Sequence, residues 1–270
     1  MFKFLENFTK IDIEEFESEQ EFSRQDHIEY YSAFSENCYS LNDDKELTHL
    51  AIVSTDGMDV NSIDFNEVPK LKVLIFRSKL FSELPGNFIA LKNLEELELR
   101  GCNFSIFPEL IVKLKKLRHL NLRQCGILDI PDSIRNLTEL VSINLCSNKL
   151  TEIPESISTL QKLEALYIGS ASLAKIPSYI SKLEKLEIID LSSNEISHVP
   201  ECFSNLKKLE SLDLSGNAFE SYPDWISSLE SLRKLNLTSN KISEIPESII
   251  KLKSLTYLEI SGNGLSQIPE

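Results

Sequence analysis

The sequence predicts an α/β solenoid, with a parallel β-sheet on the concave side and short 3-10 or helical return segments on the convex side. A strict sequence period of 20 to 50 residues is typical of stacked coils. Here the period is 23 residues, and no insertion or deletion breaks it. A proline recurs at this spacing, at Pro85, Pro108, Pro131, Pro154, Pro177, Pro200, Pro223, Pro246 and Pro269. A leucine recurs in step with it, at Leu71, Leu94, Leu117, Leu140, Leu163, Leu186, Leu209, Leu232 and Leu255.

Each coil is predicted to contain one short strand, one turn and one return segment. In the coil that ends at Pro200, residues 188–192 alternate between outward and inward positions, which is the period of a strand. The side-chain amide of Asn194 can then pair with backbone groups of neighbouring turns. After the proline, Phe203 and Leu206 have the spacing of one helical or 3-10 turn. Because one coil cannot bury its own leucines, the coils must stack.

The consensus of these coils, L-x-x-L-x-L-x-x-N-x-L-x-x-I-P, resembles the leucine-rich repeat superfamily. It is most similar to the 23-residue class of Ras-suppressor-type, plant intracellular Ras-group and bacterial repeat proteins. The resemblance covers residues 47–270. It implies a curved horseshoe with its parallel sheet on the concave face and a protein-binding role, but no single activity.

Two coils depart from the asparagine position of this consensus. Cysteine is a small, weak donor that can replace asparagine there, but Lys79 and Ala171 cannot, so we expect interruptions of the asparagine ladder at those two coils. The position reads Lys79, Cys102, Cys125, Asn148, Ala171, Asn194, Asn217, Asn240 and Asn263. Before these coils, Leu47, Leu50 and Ile52 indicate a degenerate strand-forming coil.

The chain is predicted to have two parts, an acidic, mostly helical N-terminal cap over residues 1–46 and an array of about ten coils over residues 47–270. The first 46 residues carry 13 acidic and 4 basic side chains. Ile28, Tyr31 and Phe34 can share one helical face. End repeats need a polar outer face, which such a cap would supply. No comparable cap sequence follows the last coil, which predicts an exposed C-terminal edge.

Composition excludes several classes of function. The net charge of −14 and the absence of a basic stripe argue against nucleic acid and anionic membranes as partners. The first residues do not resemble a secretory signal, and no apolar run is long enough to span a membrane. Five cysteines without CxxC spacing favour reduced thiols in a cytoplasmic protein.

Arg77, Arg100 and Arg123 occupy one outward strand position in three successive coils and form what we call the arginine column. Later coils have small, mostly polar residues there. Strands lie about 4.8 Å apart, so the guanidinium groups repel one another unless acidic groups or a ligand compensate. One interpretation is a solvated ladder with Glu95, Glu96 and Glu98. The other is recognition of an acidic segment of a partner, because arginine holds carboxylates with two hydrogen bonds. A phosphate ligand is less favoured, since no Gly-rich loop accompanies the column.

A second set of outward residues, the mid-strand column, is predicted to be a wettable surface. Tyr167 and Tyr257 are expected to be exposed aromatics on this face, either interface anchors or chance surface residues. Trp225 and Ile226 are expected to pack on the convex side. The column reads Ile75, Glu98, Asn121, Asn144, Tyr167, Asp190, Asp213, Asn236 and Glu259.

We expect no enzymatic activity, no metal and no cofactor. Asp190 and Asp213 are carboxylates on adjacent strands, a spacing that can raise one pKa, but they lie on an open face without an apolar pocket. Cys102, Cys125 and Cys146 have only His119 nearby and lack the spacing of a zinc site.

The sequence therefore predicts a non-enzymatic module that binds a partner protein on the concave sheet, on its arginine-bearing N-terminal half. Rigid repeats suit this role because pre-arranged side chains lower the ordering cost of binding. One alternative is an assembly protein that dimerises through the C-terminal edge, and another is a protein that binds a small acidic ligand or anion through the arginine column. The predicted contact residues are Arg77, Glu96, Glu98, Arg100, His119, Asn121, Arg123 and Tyr167.

Overall fold

A computed structural model describes residues 14–15, 38–52, 63–77 and 82–266. The chain divides into two compact units, Met1–Gly126 and Ile127–Glu270. From Leu47 onward, the described residues form short strands that alternate with single turns of 3-10 helix.

The first unit has six described strands in sequential order, of which β2 and β3 are antiparallel and the other neighbours parallel. The strands are β1 (Glu14–Glu15), β2 (Cys38–Leu41), β3 (Leu47–Ile52), β4 (Val73–Phe76), β5 (Glu96–Glu98) and β6 (His119–Asn121). The described 3-10 helices are η1 (Phe65–Glu67), η2 (Gly86–Ala90) and η3 (Glu109–Lys113).

The second unit has six described strands, again in sequential order and all parallel. The strands are β7 (Ser142–Asn144), β8 (Ala165–Tyr167), β9 (Ile188–Asp190), β10 (Ser211–Asp213), β11 (Lys234–Asn236) and β12 (Tyr257–Glu259). The 3-10 helices are η4 (Asp132–Asn136), η5 (Glu155–Thr159), η6 (Ser178–Lys182), η7 (Glu201–Asn205), η8 (Asp224–Ser228) and η9 (Glu247–Lys251).

The start of the chain shows one confirmed expectation and one that is only partly visible. Strand β3 contains Leu47, Leu50 and Ile52 and confirms that the degenerate coil predicted before the regular repeats forms a strand. The predicted helical cap, residues 1–46, lies mostly outside the described residues. Those of its residues that are described include β1 and β2, which are strands, so this part of the cap extends the sheet.

Successive coils bury one another's aliphatic side chains, as the period predicts. The repeat leucines of the second unit are fully buried from the first coil to the fifth, and only Leu255 is half-buried. Burying one such side chain contributes about 1.5–3 kcal/mol. The stacked rows are therefore the main source of stability. The fully buried repeat leucines of this unit are Leu140, Leu163, Leu186, Leu209 and Leu232.

The repeated prolines begin the return segments. Proline has a fixed φ and no N–H, so it fits immediately before a helical turn, where its carbonyl is still used. Pro85 has φ −64 and ψ 146, and its carbonyl accepts a hydrogen bond from the Phe88 N–H at 2.9 Å. The same bond joins Ile134 to Pro131 at 3.0 Å. This confirms the predicted return turn and shows that it is a 3-10 helix.

Except at Ala171, the asparagine ladder joins the coils of the second unit to the ones before them. The Oδ1 atom of Asn194 accepts from the Leu173 N–H at 3.1 Å. Its Nδ2 atom donates to the carbonyls of Ile168 and Leu191 at 2.9 and 3.0 Å. Asn217, Asn240 and Asn263 make the equivalent bonds. Ala171 has no polar side-chain atom and cannot take part.

Cys125 stands at a ladder position of the first unit, and its thiol and its backbone carbonyl each make one of the hydrogen bonds that an asparagine side chain would make. Its thiol donates to the Leu99 carbonyl at 2.7 Å, as an asparagine amide would. The Phe104 N–H, which an asparagine oxygen would receive, instead donates to the Cys125 backbone carbonyl at 3.1 Å. Hydrogen bonding with the Cys102 side chain is the main effect that lowers the pKa of the Cys125 thiol. The substitution therefore preserves both backbone partners.

The residue before each ladder position adopts a left-handed backbone, a feature that the sequence analysis did not identify. Only glycine takes this conformation without steric cost, and serine occupies it in several coils. At Gly216, φ is 63°, and an added Cβ would lie 3.2 Å from the Ser193 Oγ and 3.3 Å from its Cα. The series is Gly101, Gln124, Ser147, Ser170, Ser193, Gly216, Ser239 and Gly262.

Candidate functional site

The outward face of the first unit presents three rows of side chains. The strand register aligns one residue from each of β3 to β6 in every row. The first row contains His49, Val73, Glu96 and His119, and the second contains Ala51, Ile75, Glu98 and Asn121. Side chains alternate along a strand, so the arginine column, one alternate position further on, forms the third row. The structure thus brings together seven of the eight predicted contact residues, and Tyr167 lies in the second unit.

The second row of this face is buried, which corrects the prediction of a wettable mid-strand column in the first unit. Ile75 and Glu98 are 0% exposed and Asn121 is 4% exposed. His119 in the first row is also buried, at 5%. Burial of outward positions depends on contacts that are distant in sequence, which the repeat period does not report.

Glu98 is held by hydrogen bonds from both neighbouring strands. Arg77 donates from Nε to its Oε1 at 2.5 Å, and Asn121 donates from Nδ2 to its Oε2 at 3.2 Å. The Asn121 amide oxygen accepts in turn from the Arg123 N–H at 3.0 Å. Burial raises the pKa of the Glu98 carboxyl, and the Arg77 charge opposes that rise. The pairing of arginine with glutamate that the ladder interpretation expected is present at Arg77, but this pair is buried rather than solvated.

Arg100 and Arg123 differ from Arg77 in their surroundings. Arg100 is half-buried and Arg123 is exposed. Among the described residues, neither forms an ion pair within 4.0 Å, whereas Arg77 pairs with Glu98. The two accessible guanidinium groups of the arginine column lie on adjacent coils.

Glu96 faces His119 across β5 and β6 and has an unusual acidity. Burial, reinforced by the negative charge of Glu95 and opposed by Arg118, raises the pKa of the Glu96 carboxyl to about 7. The group therefore titrates near neutral pH. The surroundings of the Glu96 carboxyl favour its protonated form, because the side chain is partly desolvated and has no cation in direct contact among the described residues.

In the second unit, the mid-strand column is half-exposed and its shorter polar side chains are fixed by the backbone. Asp190 and Asp213 each accept through Oδ1 from the N–H two residues later, at 2.9 Å in both cases. Asn144 and Asn236 make the same bond at 3.0 Å. These side chains are therefore pre-arranged, as a rigid binding face requires.

The two predicted aromatic anchors behave differently. Tyr257 is 50% exposed, as expected. Tyr167 is only half-buried as a residue, but its hydroxyl is buried and has no hydrogen-bond partner. Burial, together with nearby Asp190, raises the pKa of this hydroxyl. The expectation of an exposed aromatic side chain is thus correct for Tyr257 and wrong for the polar end of Tyr167.

Sequence reasoning missed the close packing beside Tyr167. The Gly169 N–H donates to the Cys146 sulfur at 3.2 Å, and the Cys146 thiol lies 3.7 Å from Asp190 Oδ2. An added Cβ at Gly169 would lie 2.9 Å from Asp190 Oδ1 and 2.7 Å from Ser192 Oγ. The only signal in the sequence is a glycine where later coils have serine or threonine.

The convex side bears out one prediction. Trp225 and Ile226 are buried, and the Trp225 ring lies 5.7 Å from that of Phe203. An open polar groove of about 890 Å³ lies nearby and includes Lys207, Ser228 and Lys251. Within the described ranges, no group of three or more potential ligands could hold a metal ion, and no helix is long and apolar enough to cross a bilayer.

Comparison with known families identifies the repeats. Leucine-rich repeat profiles match residues 93–114, 115–173, 171–219 and 222–265. These matches cover more than half of the chain, which therefore belongs to the leucine-rich repeat family. No curated protein is significantly similar to the chain in sequence.

Solved structures of this family share its fold. A leucine-rich repeat protein of Leptospira interrogans is 32% identical over 78% of this chain and 54% of its own, with a TM-score of 0.74. A plant peptide hormone receptor, RGFR1 in complex with RGF2, is 31% identical over 76% of this chain and 34% of its own, with a TM-score of 0.62. An internalin of Listeria monocytogenes, 20% identical over 78% of this chain and 58% of its own, has a TM-score of 0.65 and shows the fold alone. This chain thus spans about half the length of the Leptospira protein.

Proposed function

We propose that this chain is a non-enzymatic module that binds a partner protein through the outward face of its strands. Leucine-rich repeats generally serve as protein–protein interaction modules. The plant receptor that resembles this chain was solved in complex with RGF2, which supports a similar role for the repeats here. The pre-arranged side chains of Asp190 and Asp213 give the same support, because fixed contacts lower the cost of association.

The binding surface we propose includes Arg100 and Arg123, and the partner contributes an acidic segment. The observation that carries this proposal is the contrast within the arginine column. Arg77 is neutralised by Glu98, whereas Arg100 and Arg123 have no ion-pair partner among the described residues. The two arginines lie on coils whose strands are about 4.8 Å apart, so their charges repel each other, and carboxylates of a partner would relieve that repulsion.

The test uses the partner captured from the native host by affinity purification. We expect the Arg100→Ser/Arg123→Ser variant to bind it about tenfold or more weakly, with a smaller dependence on salt. The matched control is Lys92→Ser/Lys113→Ser, which removes two exposed cations near the return segments. Equal affinity of the arginine variant and the unmodified protein would refute the proposed surface, and so would an equal loss in the control.

A second candidate function, self-assembly, is favoured by the exposed apolar residues of the last described strand and its neighbouring turn. Leu258 is 40%, Tyr257 50% and Ile250 61% exposed. Contact between two such surfaces would bury these side chains. Light scattering of the protein and of the Leu258→Lys variant tests this candidate. A monomeric mass for both would eliminate it.

A further inference from the structure

The first unit contains a small apolar cleft away from the strand face. It lies where strands lead into the return segments, and its volume is about 150 Å³. Buried side chains of Leu84, Phe104 and Phe107 form its walls, and Pro108 and Leu110 complete them. A cavity of this size can hold a benzene-sized apolar group. The cleft is therefore large enough for one aliphatic side chain.

Ile106 stands at the edge of this cleft and is 69% exposed, the largest exposure among the large apolar residues described. The same repeat position is polar or charged in every other coil in which the structure describes it. An isoleucine there exposes apolar area without contributing to the stacked core. The equivalent residues are Glu83, Asp129, Glu152, Lys175, His198, Ser221 and Glu244.

The backbone next to Ile106 also departs from the repeat. Ser105 has φ 60°, and the Ile106 N–H donates to the Phe104 carbonyl at 2.6 Å. The equivalent residue has a positive φ in none of the other described coils. A left-handed backbone is sterically unfavourable for serine. This coil thus adopts a costly conformation that presents an apolar side chain to solvent.

Acidic side chains flank the cleft. Glu83 and Glu109 line it and are both exposed. Exposed carboxylates beside an apolar cavity favour an apolar group that is adjacent to positive charge.

We propose that the Ile106 cleft, lined by Leu84, Phe104, Ile106, Phe107, Pro108 and Leu110, binds an extended segment of a partner protein that carries one large aliphatic side chain between basic residues. The aliphatic side chain enters the cleft and contacts Ile106, and the basic neighbours approach Glu83 and Glu109. This surface is separate from the arginine column and has the opposite charge preference. The chain accordingly has two contact surfaces, which together bind chemically different segments.

The probe is a synthetic pentapeptide, Gly-Arg-Leu-Arg-Gly with blocked ends, titrated into the full chain with methyl-labelled isoleucine. We expect a saturable shift of the Ile106 methyl resonance. The matched peptide with alanine in place of leucine should bind about tenfold or more weakly, since it loses the buried aliphatic group. The peptide with glutamate in place of arginine should also bind more weakly, and most clearly at low salt.

Three variants distinguish binding in the cleft from non-specific binding. Ile106→Glu places the residue typical of other coils at this position, so the protein should fold with an unchanged circular dichroism spectrum and lose the peptide affinity. Ile89→Glu alters another exposed isoleucine of the first unit, 47% exposed and outside the cleft, and should bind normally. Glu83→Gln should lower the affinity for the arginine peptide several-fold and leave the affinity for a peptide with glutamine in place of arginine unchanged.

The proposal is overturned if the leucine and alanine peptides bind equally, or if Ile106→Glu retains the affinity of the unmodified protein. An equal loss in Ile89→Glu would overturn it as well. A mass that increases with protein concentration and returns to the monomer in Ile106→Glu would assign the cleft to a second copy of this chain and refute the basic segment. None of these measurements involves Arg100 or Arg123, so failure here is distinguishable from failure of the proposed function.

Discussion

Arg77 donates from Nε to Oε1 of Glu98 across adjacent strands, and the two atoms are 2.5 Å apart. The glutamate side chain is 0% and the arginine side chain 14% exposed. Removal of one member of a buried pair leaves a desolvated charge without compensation, which is more damaging than removal of both members. Loss of either member of this pair is therefore expected to lower the stability of the protein.

We expect Glu98→Ala to lower the free energy of unfolding by about 3–5 kcal/mol, because Arg77 then lacks its carboxylate. Chemical denaturation with the full chain measures this. The double variant Arg77→Met/Glu98→Leu should recover most of the loss, since it removes both charges and keeps the volume. A double variant as unstable as the single one would contradict this account.

Stability should depend on pH through Glu96. Its pKa is 4.5 in an ordinary environment and about 7 in the folded protein. The folded state thus favours the protonated form, so the contribution of Glu96 to stability is complete below pH 4.5 and is lost as pH rises through 7. By about pH 8 the loss amounts to about 3 kcal/mol.

The variant Glu96→Gln isolates this group. It should be more stable than the unmodified protein at about pH 8 and no more stable at about pH 4. His119, which faces Glu96, and the flanking Glu95 and Arg118 are present in both proteins, so their own contributions cancel in the difference between the two unfolding free energies. A difference that does not change with pH would exclude Glu96 as its source.

The interrupted ladder offers a stabilising substitution. Ser170 already has the left-handed backbone that precedes a ladder asparagine, with φ 53°. In Ala171→Asn, the new amide should accept from the Leu150 N–H and donate to the Leu145 and Ile168 carbonyls, with a gain of about 1 kcal/mol. Conversely, Asn194→Ala should cost about 2–4 kcal/mol, because three buried backbone groups lose their partner. Thermal unfolding of both variants provides the measurement, and a destabilised Ala171→Asn would show that this coil has no room for the amide.

Glycine is favoured at position 216 and dispensable at position 86. Gly216→Ala should cost about 1–2 kcal/mol, because φ is 63° and the new Cβ presses against Ser193. Gly86→Ala is the matched control, since no atom lies within 4 Å of its added Cβ and its φ is not positive. It should be neutral or slightly stabilising. Equal effects in the two variants would remove the conformational explanation.

The period predicted what each coil builds, because strand, turn and return segment depend on contacts between neighbouring coils that repeat identically. The strand at Ile188–Asp190 and the bonds of Asn194 both follow from it. The interruption at Ala171 follows in the same way, since alanine has no polar side-chain atom. The expectation for Lys79 lies outside the described residues.

What the period did not predict are features that belong to single positions. The burial of Glu98 and Asn121 and the bonded Arg77 reflect local surroundings, which differ from coil to coil. The strands β1 and β2 precede the repeats, so no periodic signal identifies them. The left-handed backbone before each ladder residue was hidden because serine, not glycine, fills it in most coils of the second unit.

The bonds of each ladder asparagine reach its own coil and the preceding one and no further, as Asn217 shows with Ile196, Leu191 and Leu214. If a complete 23-residue period were removed from the second unit, each remaining ladder asparagine would meet the equivalent backbone groups of the coil that then precedes it. The number of coils can therefore change by duplication or loss of whole 23-residue repeats, while the hydrogen bonds between neighbouring coils are kept.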